Sequence, residues 1–268
     1  MRHILFPTDF SQVSRQALSY AFFMAQRFGA QLTLLHVRPS ILQPDHFTSA
    51  HPTYSYEEAE QLLQDLVAEL SDQVSVQYRL TSGLVIETIR DVAQEIGADL
   101  IVAGTVGAAS SPEVVATSYA AELVAQSSHA VLAVPADVPL QPPAKVVLAL
   151  DFKPLRDLSV LRPLVEIARE FEAELLFVNV VDDMADLEGK QLAEKERIAS
   201  LFGDLRFSVH FVADSHVDEG ITRFAEEQQA QLIAVIERKR GILGAFFHES
   251  VSQKVALFTH TPLLALKE

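Results

Sequence analysis

Four stretches of this chain occur twice, in the same order, and that duplication limits the possible folds more than any other feature. The apolar run His3 to Phe10, ending in Asp9-Phe10, returns as Lys145 to Phe152, ending in Asp151-Phe152. Arg27 to Val37 returns as Glu170 to Val180, Ala98 to Val102 as Ala230 to Ala234, and His129 to Val134 as Thr261 to Leu266. The offset shrinks only across the middle, where the first copy carries extra polar residues around Pro39 to Tyr56. Two copies of one domain account for this order, with residues 1–138 as the first, 139–144 as a linker and 145–268 as the second. The linker region holds Pro135, Pro139, Pro142 and Pro143, none of which continues a helix or a central strand, so it is read as short and stiff.

Within each copy, short apolar runs alternate with segments of helical period. Leu32 to Val37, Leu100 to Gly104 and Ala130 to Val134 read as strands buried on both faces. Ala17, Leu18, Ala21, Phe22, Ala25 and Phe28 mark a helical face, with Ser11 as N-cap and Gly29 as the stop. Leu62 to Leu70 and Ile86 to Ile96 give two more such faces, the latter closed by Gly97, and both are assigned to packing on the sheet. In the second copy Pro163 requires a helix to kink or begin there. Alternating strand and helix implies right-handed crossovers and a parallel sheet covered on both faces.

Composition removes several function classes. A formal charge of −15, from 21 Lys plus Arg against 36 Asp plus Glu, opposes a broad grip on nucleic acid or anionic lipid. The absence of Cys removes disulfides, thiolate catalysis and Cys-based metal sites. With 49% hydrophobic residues and no apolar stretch of the ~18 residues that a membrane span needs, the chain is expected to be a cytoplasmic protein with a real core.

In an open parallel sheet a ligand sits beyond the carboxyl ends of the strands. Pro7-Thr8-Asp9-Phe10-Ser11, His36-Val37-Arg38-Pro39 and Gly104-Thr105-Val106-Gly107 are the residues standing there in the first copy. Gly104 and Gly107 admit two readings, the remnant of a nucleotide cradle or a tight turn after a buried strand. Together with Asp9-Phe10-Ser11, Leu34 to Val37, Ala98 to Thr105, Ala130 to Pro135 and the carboxyl stretch Lys239 to Leu266, the chain resembles tandem members of the universal stress protein family over nearly its whole length.

That resemblance implies an α/β fold of two Rossmann-like (adenine nucleotide alpha hydrolase-like) domains, each an open five-stranded parallel sheet with helices on both faces. It also implies, for part of the family, ATP with Mg held by a loop of pattern G-x2-G-x9-G-[ST]. Asp9 would then meet the ribose or an associated metal, Val37 the adenine, and Gly104, Gly107 and Ser118 the phosphates. The loop departs from the pattern. Thr117 replaces the third glycine, Ala108 stands where a basic residue is common, and Glu113 adds a carboxylate worth a kilocalorie or more of repulsion at ~4 Å. In the second copy Ile236, Lys239 and Glu249 leave no motif glycine. The expectation is a stress-associated regulatory or binding protein, not an enzyme, with a degraded nucleotide site in the first domain and none in the second. The alternative is an ATP-binding switch with at most weak hydrolysis in the first domain.

Arg238, Lys239 and Arg240 form the densest basic run and are either an anion or partner loop or a solvated loop that relieves the net charge. Asp45-His46 with His51 is read as surface loop, and no metal site is expected. No G-x-S-x-G elbow is present, and no catalytic residue is assigned. The expected partner is a protein, without nucleic acid or membrane. The closing strands, Ala130 to Val134 and Leu263 to Leu266, are short and apolar; pairing them would make the chain its own dimer, with a homodimer as a further state.

Overall fold

The computed structural model describes residues 1–40, 54–105, 119–151, 154–181, 200, 202–238, 255 and 260–268. Ten strands form one sheet in the order β3-β2-β1-β4-β5-β10-β9-β6-β7-β8. The first five are β1 His3–Pro7, β2 Gln31–Pro39, β3 Val76–Gly83, β4 Leu100–Thr105 and β5 Val131–Pro135. β6 Lys145–Ala149, β7 Glu174–Val181, β8 Phe207–Ala213, β9 Leu232–Glu237 and β10 Leu263–Lys267 repeat them. Each five-stranded half is parallel, and the halves join where β5 and β10 run antiparallel, Leu132 opposite Leu264. The two closing strands that the sequence leaves as edges therefore cover each other, and the two open sheets become one.

The local signals act as their chemistry requires. Helix α1 (Gln12–Phe28) starts where the Ser11 hydroxyl accepts the Ser14 N–H at 3.1 Å and ends at Gly29, whose φ of 58° is left-handed. Helix α2 (Tyr56–Leu70) opens on a capping box between Ser55 and Glu58. Helix α3 (Val85–Ile96) ends at left-handed Gly97, and α4 (Tyr119–Gln126) leads into β5. In the second half a 3-10 turn (Leu158–Leu161) precedes α5 (Arg162–Glu170), whose start carries Pro163 where the missing N–H is harmless, and α6 is Val217–Glu227. Two apolar layers sandwich the sheet, one under α1, α2 and α5, the other under α3, α4 and α6, and each runs through both halves.

Polar contacts reinforce the junction. Tyr20 donates its hydroxyl to the Pro139 carbonyl at 2.7 Å, Phe23 stacks on Phe171 at 5.4 Å, and Arg27 pairs with Glu170 at 3.1 Å. Lys267, at the end of β10 and in register with Glu237 of β9, donates its ammonium to the Val124 carbonyl in the last turn of α4. Burial pushes the Lys267 amine down from 10.5 to about 8, with Glu237 acting in the opposite sense. Between pH 8 and 10.5 the unfolded chain then binds more protons than the folded one, so stability rises with pH across that window. At neutral pH the charged form is the burdened one, by on the order of 3 kcal/mol. Lys267→Met, which keeps the stem, is expected to raise stability at pH 7 by about 1–3 kcal/mol and to flatten the slope above pH 8 in urea titrations. A less stable variant at pH 7 would mean that the bond to α4 outweighs desolvation.

Candidate functional site

β1, β2 and β4 are neighbours in the sheet and parallel, so their carboxyl ends open on one crevice. Asp9 follows β1, and its Oδ1 accepts the Ser11 N–H at 3.0 Å, so the same short turn that caps α1 also fixes this carboxylate. The Thr8 hydroxyl accepts the Phe10 N–H at 3.0 Å and lies 2.7 Å from the Ser14 hydroxyl. Phe10 itself is left-handed, φ 62°, an uncommon conformation for a bulky residue. Its buried ring is held by His36, stacked at 4.6 Å, and by Tyr54, edge-on at 5.3 Å. His36 donates from Nδ1 to the Thr8 carbonyl at 2.7 Å, since a carbonyl only accepts.

Asp9, Val37 and Gly104 are thus placed on adjoining strands, while Gly107 and Ser118 lie outside the described residues. Val37 is not the end of its strand, because β2 pairs with β3 as far as Pro39 opposite Gly83, and its side chain is buried in the layer under α3 and α4. Gly104 has a packing role. A Cβ there would stand 2.9 Å from the Val13 carbonyl oxygen and 3.2 Å from the Ala17 Cβ, so its missing side chain is what lets α1 lie close on β4. Next to it, Thr105 is fully buried with a hydroxyl that has no hydrogen-bond partner. Tyr119, at the start of α4, has its phenol pushed up by burial first and then by the Asp9 and Glu122 carboxylates, which places it in the field of Asp9.

The second half repeats the scaffold and changes the chemistry. Asn179 occupies the place of His36 and donates to the Leu150 carbonyl at 2.6 Å, the counterpart of the bond to Thr8. Asp151, the counterpart of Asp9, meets the Arg238 guanidinium at 3.0 Å. The same guanidinium lies 3.4 Å from Glu268, whose other oxygen accepts the Arg156 N–H at 2.5 Å. Arg238 leaves the end of β9 and turns back onto its own domain; Lys239 and Arg240 lie outside the described residues, as do Asp45, His46 and His51. Ile236 stands where the first half has Gly104, and the segment preceding α5 there is the 3-10 turn Leu158–Leu161, the α-helix beginning only at Arg162.

The profile of the universal stress protein family matches residues 1–135 and again residues 144–267. This chain belongs to that family. A universal stress protein of Synechocystis is 35% identical over 133 residues, 49% of this chain and 84% of the relative. Among solved structures, a universal stress protein of Archaeoglobus fulgidus superposes with a TM-score of 0.76 at 19% identity, covering 99% of this chain and 98% of that one. A functionally unknown protein of Pseudomonas aeruginosa gives 0.71 at 19% identity, covering 100% and 92%. At such identities these structures speak for the fold, the paired α/β architecture of a tandem universal stress protein.

The sequence places Phe10, His36 and Thr105 at the strand ends without giving them a role, and it does not point to Tyr54 or Tyr119. A left-handed Phe and an orphan hydroxyl have no sequence signature, but His36 and Asn179 at matching positions of the repeat were a visible hint. Among the described residues no group of three or more His, Cys, Asp or Glu is arranged to hold a metal ion, and no helix is long and apolar enough to cross a membrane.

Proposed function

We propose that this universal stress protein, a member of a stress-associated family, is a regulatory binding protein whose first half keeps a reduced adenine-nucleotide crevice and whose second half keeps none. The observation that carries this reading is Arg238, which pairs with Asp151 and Glu268 and so covers the strand ends of the second half with the chain's own charges. In the first half Asp9 is fixed by the turn at the head of α1. ATP, with Mg, fits the first half in part. The Asp9 carboxylate and the unsatisfied Thr105 hydroxyl stand at the strand ends, but Gly104 is explained by helix packing and Val37 is buried under α3. We therefore read the protein as non-catalytic and the nucleotide, where held, as a weakly bound signal.

Two measurements test this. Native mass spectrometry of protein equilibrated with millimolar ATP should find bound adenine nucleotide in the parent and not in Asp9→Ala. Millimolar ATP at about ten times its Kd should add about 1.4 kcal/mol, a few degrees of melting temperature, in the parent and in Asp151→Ala but not in Asp9→Ala. An empty protein with no shift would remove the nucleotide and leave protein binding alone.

A further inference from the structure

His36 is a buried titratable side chain set into the turn that carries Asp9. It holds the Thr8 carbonyl from one side and stacks on Phe10 from the other, and Phe10 is the strained residue of that turn, left-handed where such a conformation costs of order 1–3 kcal/mol. Tyr54 closes the cluster, its ring 6.3 Å from His36. The imidazole thus braces the turn from outside, in addition to the turn's own bonds from Thr8 to Phe10 and Ser14 and from Asp9 to Ser11.

We propose that His36 makes the first-half crevice acid-sensitive: a protonated ring is drawn from its buried place toward water, and the Thr8 to Ser14 turn that presents Asp9 opens. The inference does not depend on nucleotide binding. The groups acting on the charge are Asp9, from the β1–α1 turn, which favours the imidazolium, and Arg38, on β2, which opposes it. The Thr8 carbonyl and the face of Phe10, on which the ring stacks, favour the imidazolium as well. Burial is the larger influence and holds the His36 pKa below its ordinary 6.5. For a base so lowered, the closed turn is fully stabilised above pH 6.5 and loses stability as pH falls from there toward the folded value.

The second half supplies the control. Asn179 makes the same bond to the β6 end with a side chain that does not titrate, so His36→Asn keeps the donor to Thr8 and removes the proton. The test follows the backbone amides of Thr8 to Ser11 by NMR between pH 7.5 and 5, with hydrogen exchange corrected for its intrinsic pH dependence. In the parent, local opening should increase by up to tenfold per pH unit as pH falls from 6.5 and level off where the His36 ring signals of the closed form titrate. In His36→Asn the same amides should stay flat, while Asp151 and Leu150 behave alike in both proteins. His36→Ala, which lacks the donor, should open at every pH. A parent whose amides do not move, or an Asn variant that titrates as the parent does, overturns the proposal.

Discussion

Gly104→Val is expected to lower the stability of the ligand-free protein by about 3 kcal/mol, a melting temperature lower by on the order of 5–10 °C. The reason is geometric. The first added carbon already stands 2.9 Å from a backbone oxygen of Val13 and 3.1–3.2 Å from side-chain atoms of Val13 and Ala17, and a helix backbone cannot give way as the tip of a flexible side chain can. α1 would have to lift from β4, loosening the Ser11 cap and the turn of Asp9 with it. A glycine kept only for the approach of phosphates would make no such demand in the absence of ligand, and Gly104→Ala would then stay within about 0.5 kcal/mol of the parent. The repeat sharpens the comparison: Ile236→Gly should destabilise through lost burial and added backbone freedom, not relieve strain. A thermal denaturation series on the three variants separates the two accounts of Gly104.

That position shows where a sequence stops being informative. Gly29 and Gly97 are legible because their task is local: a helix ends, φ turns positive, and no neighbour is needed to explain the residue. Ser11 and Pro163 are legible for the same reason, each acting within four residues of itself. Gly104 is defined by an oxygen of Val13, ninety-one positions away, and in a linear motif it looks like part of a phosphate loop. Arg238 is the same case. Three basic residues in a row suggest an anion site, and nothing in the run announces that the first of them is answered by Asp151 and by Glu268 across the sheet. The duplication went furthest because it is a relation within the chain itself. It placed both aspartates at equivalent strand ends and brought the two closing strands into question together, and β5 and β10 do meet. Val37 shows the opposite limit: the apolar run stops there, but the strand continues to Pro39, because β3 runs long enough to pair with it.

Leu132→Pro should be the most damaging single change outside the crevice. Leu132 lies in the middle of β5, paired with Val102 of β4 on one side and Leu264 of β10 on the other, and is almost fully buried. Proline there removes a backbone donor, fits poorly into a strand flanked on both sides, and leaves a buried carbonyl without its partner, together about 3 kcal/mol or more. Because β5 and β10 are the only strands through which the halves share backbone hydrogen bonds among the described residues, the loss falls on the joint itself. The side-chain contacts that remain across the joint do not replace a strand ladder: Arg27 with Glu170 is an ion pair at the surface, worth about 1 kcal/mol or less, the Met1 amine meets Glu166, Phe23 stacks on Phe171 and Lys267 holds the Val124 carbonyl. The two halves should then separate in part, with a larger radius of gyration by small-angle scattering and a lower, broader thermal transition. Proline at Val209, on the outer strand β8, serves as the comparison, since that strand has a neighbour on one side only. If both variants kept the parent dimensions and lost stability equally, the antiparallel joint would not be what holds the halves together, and the continuous apolar layers under α1 and α5 would take its place.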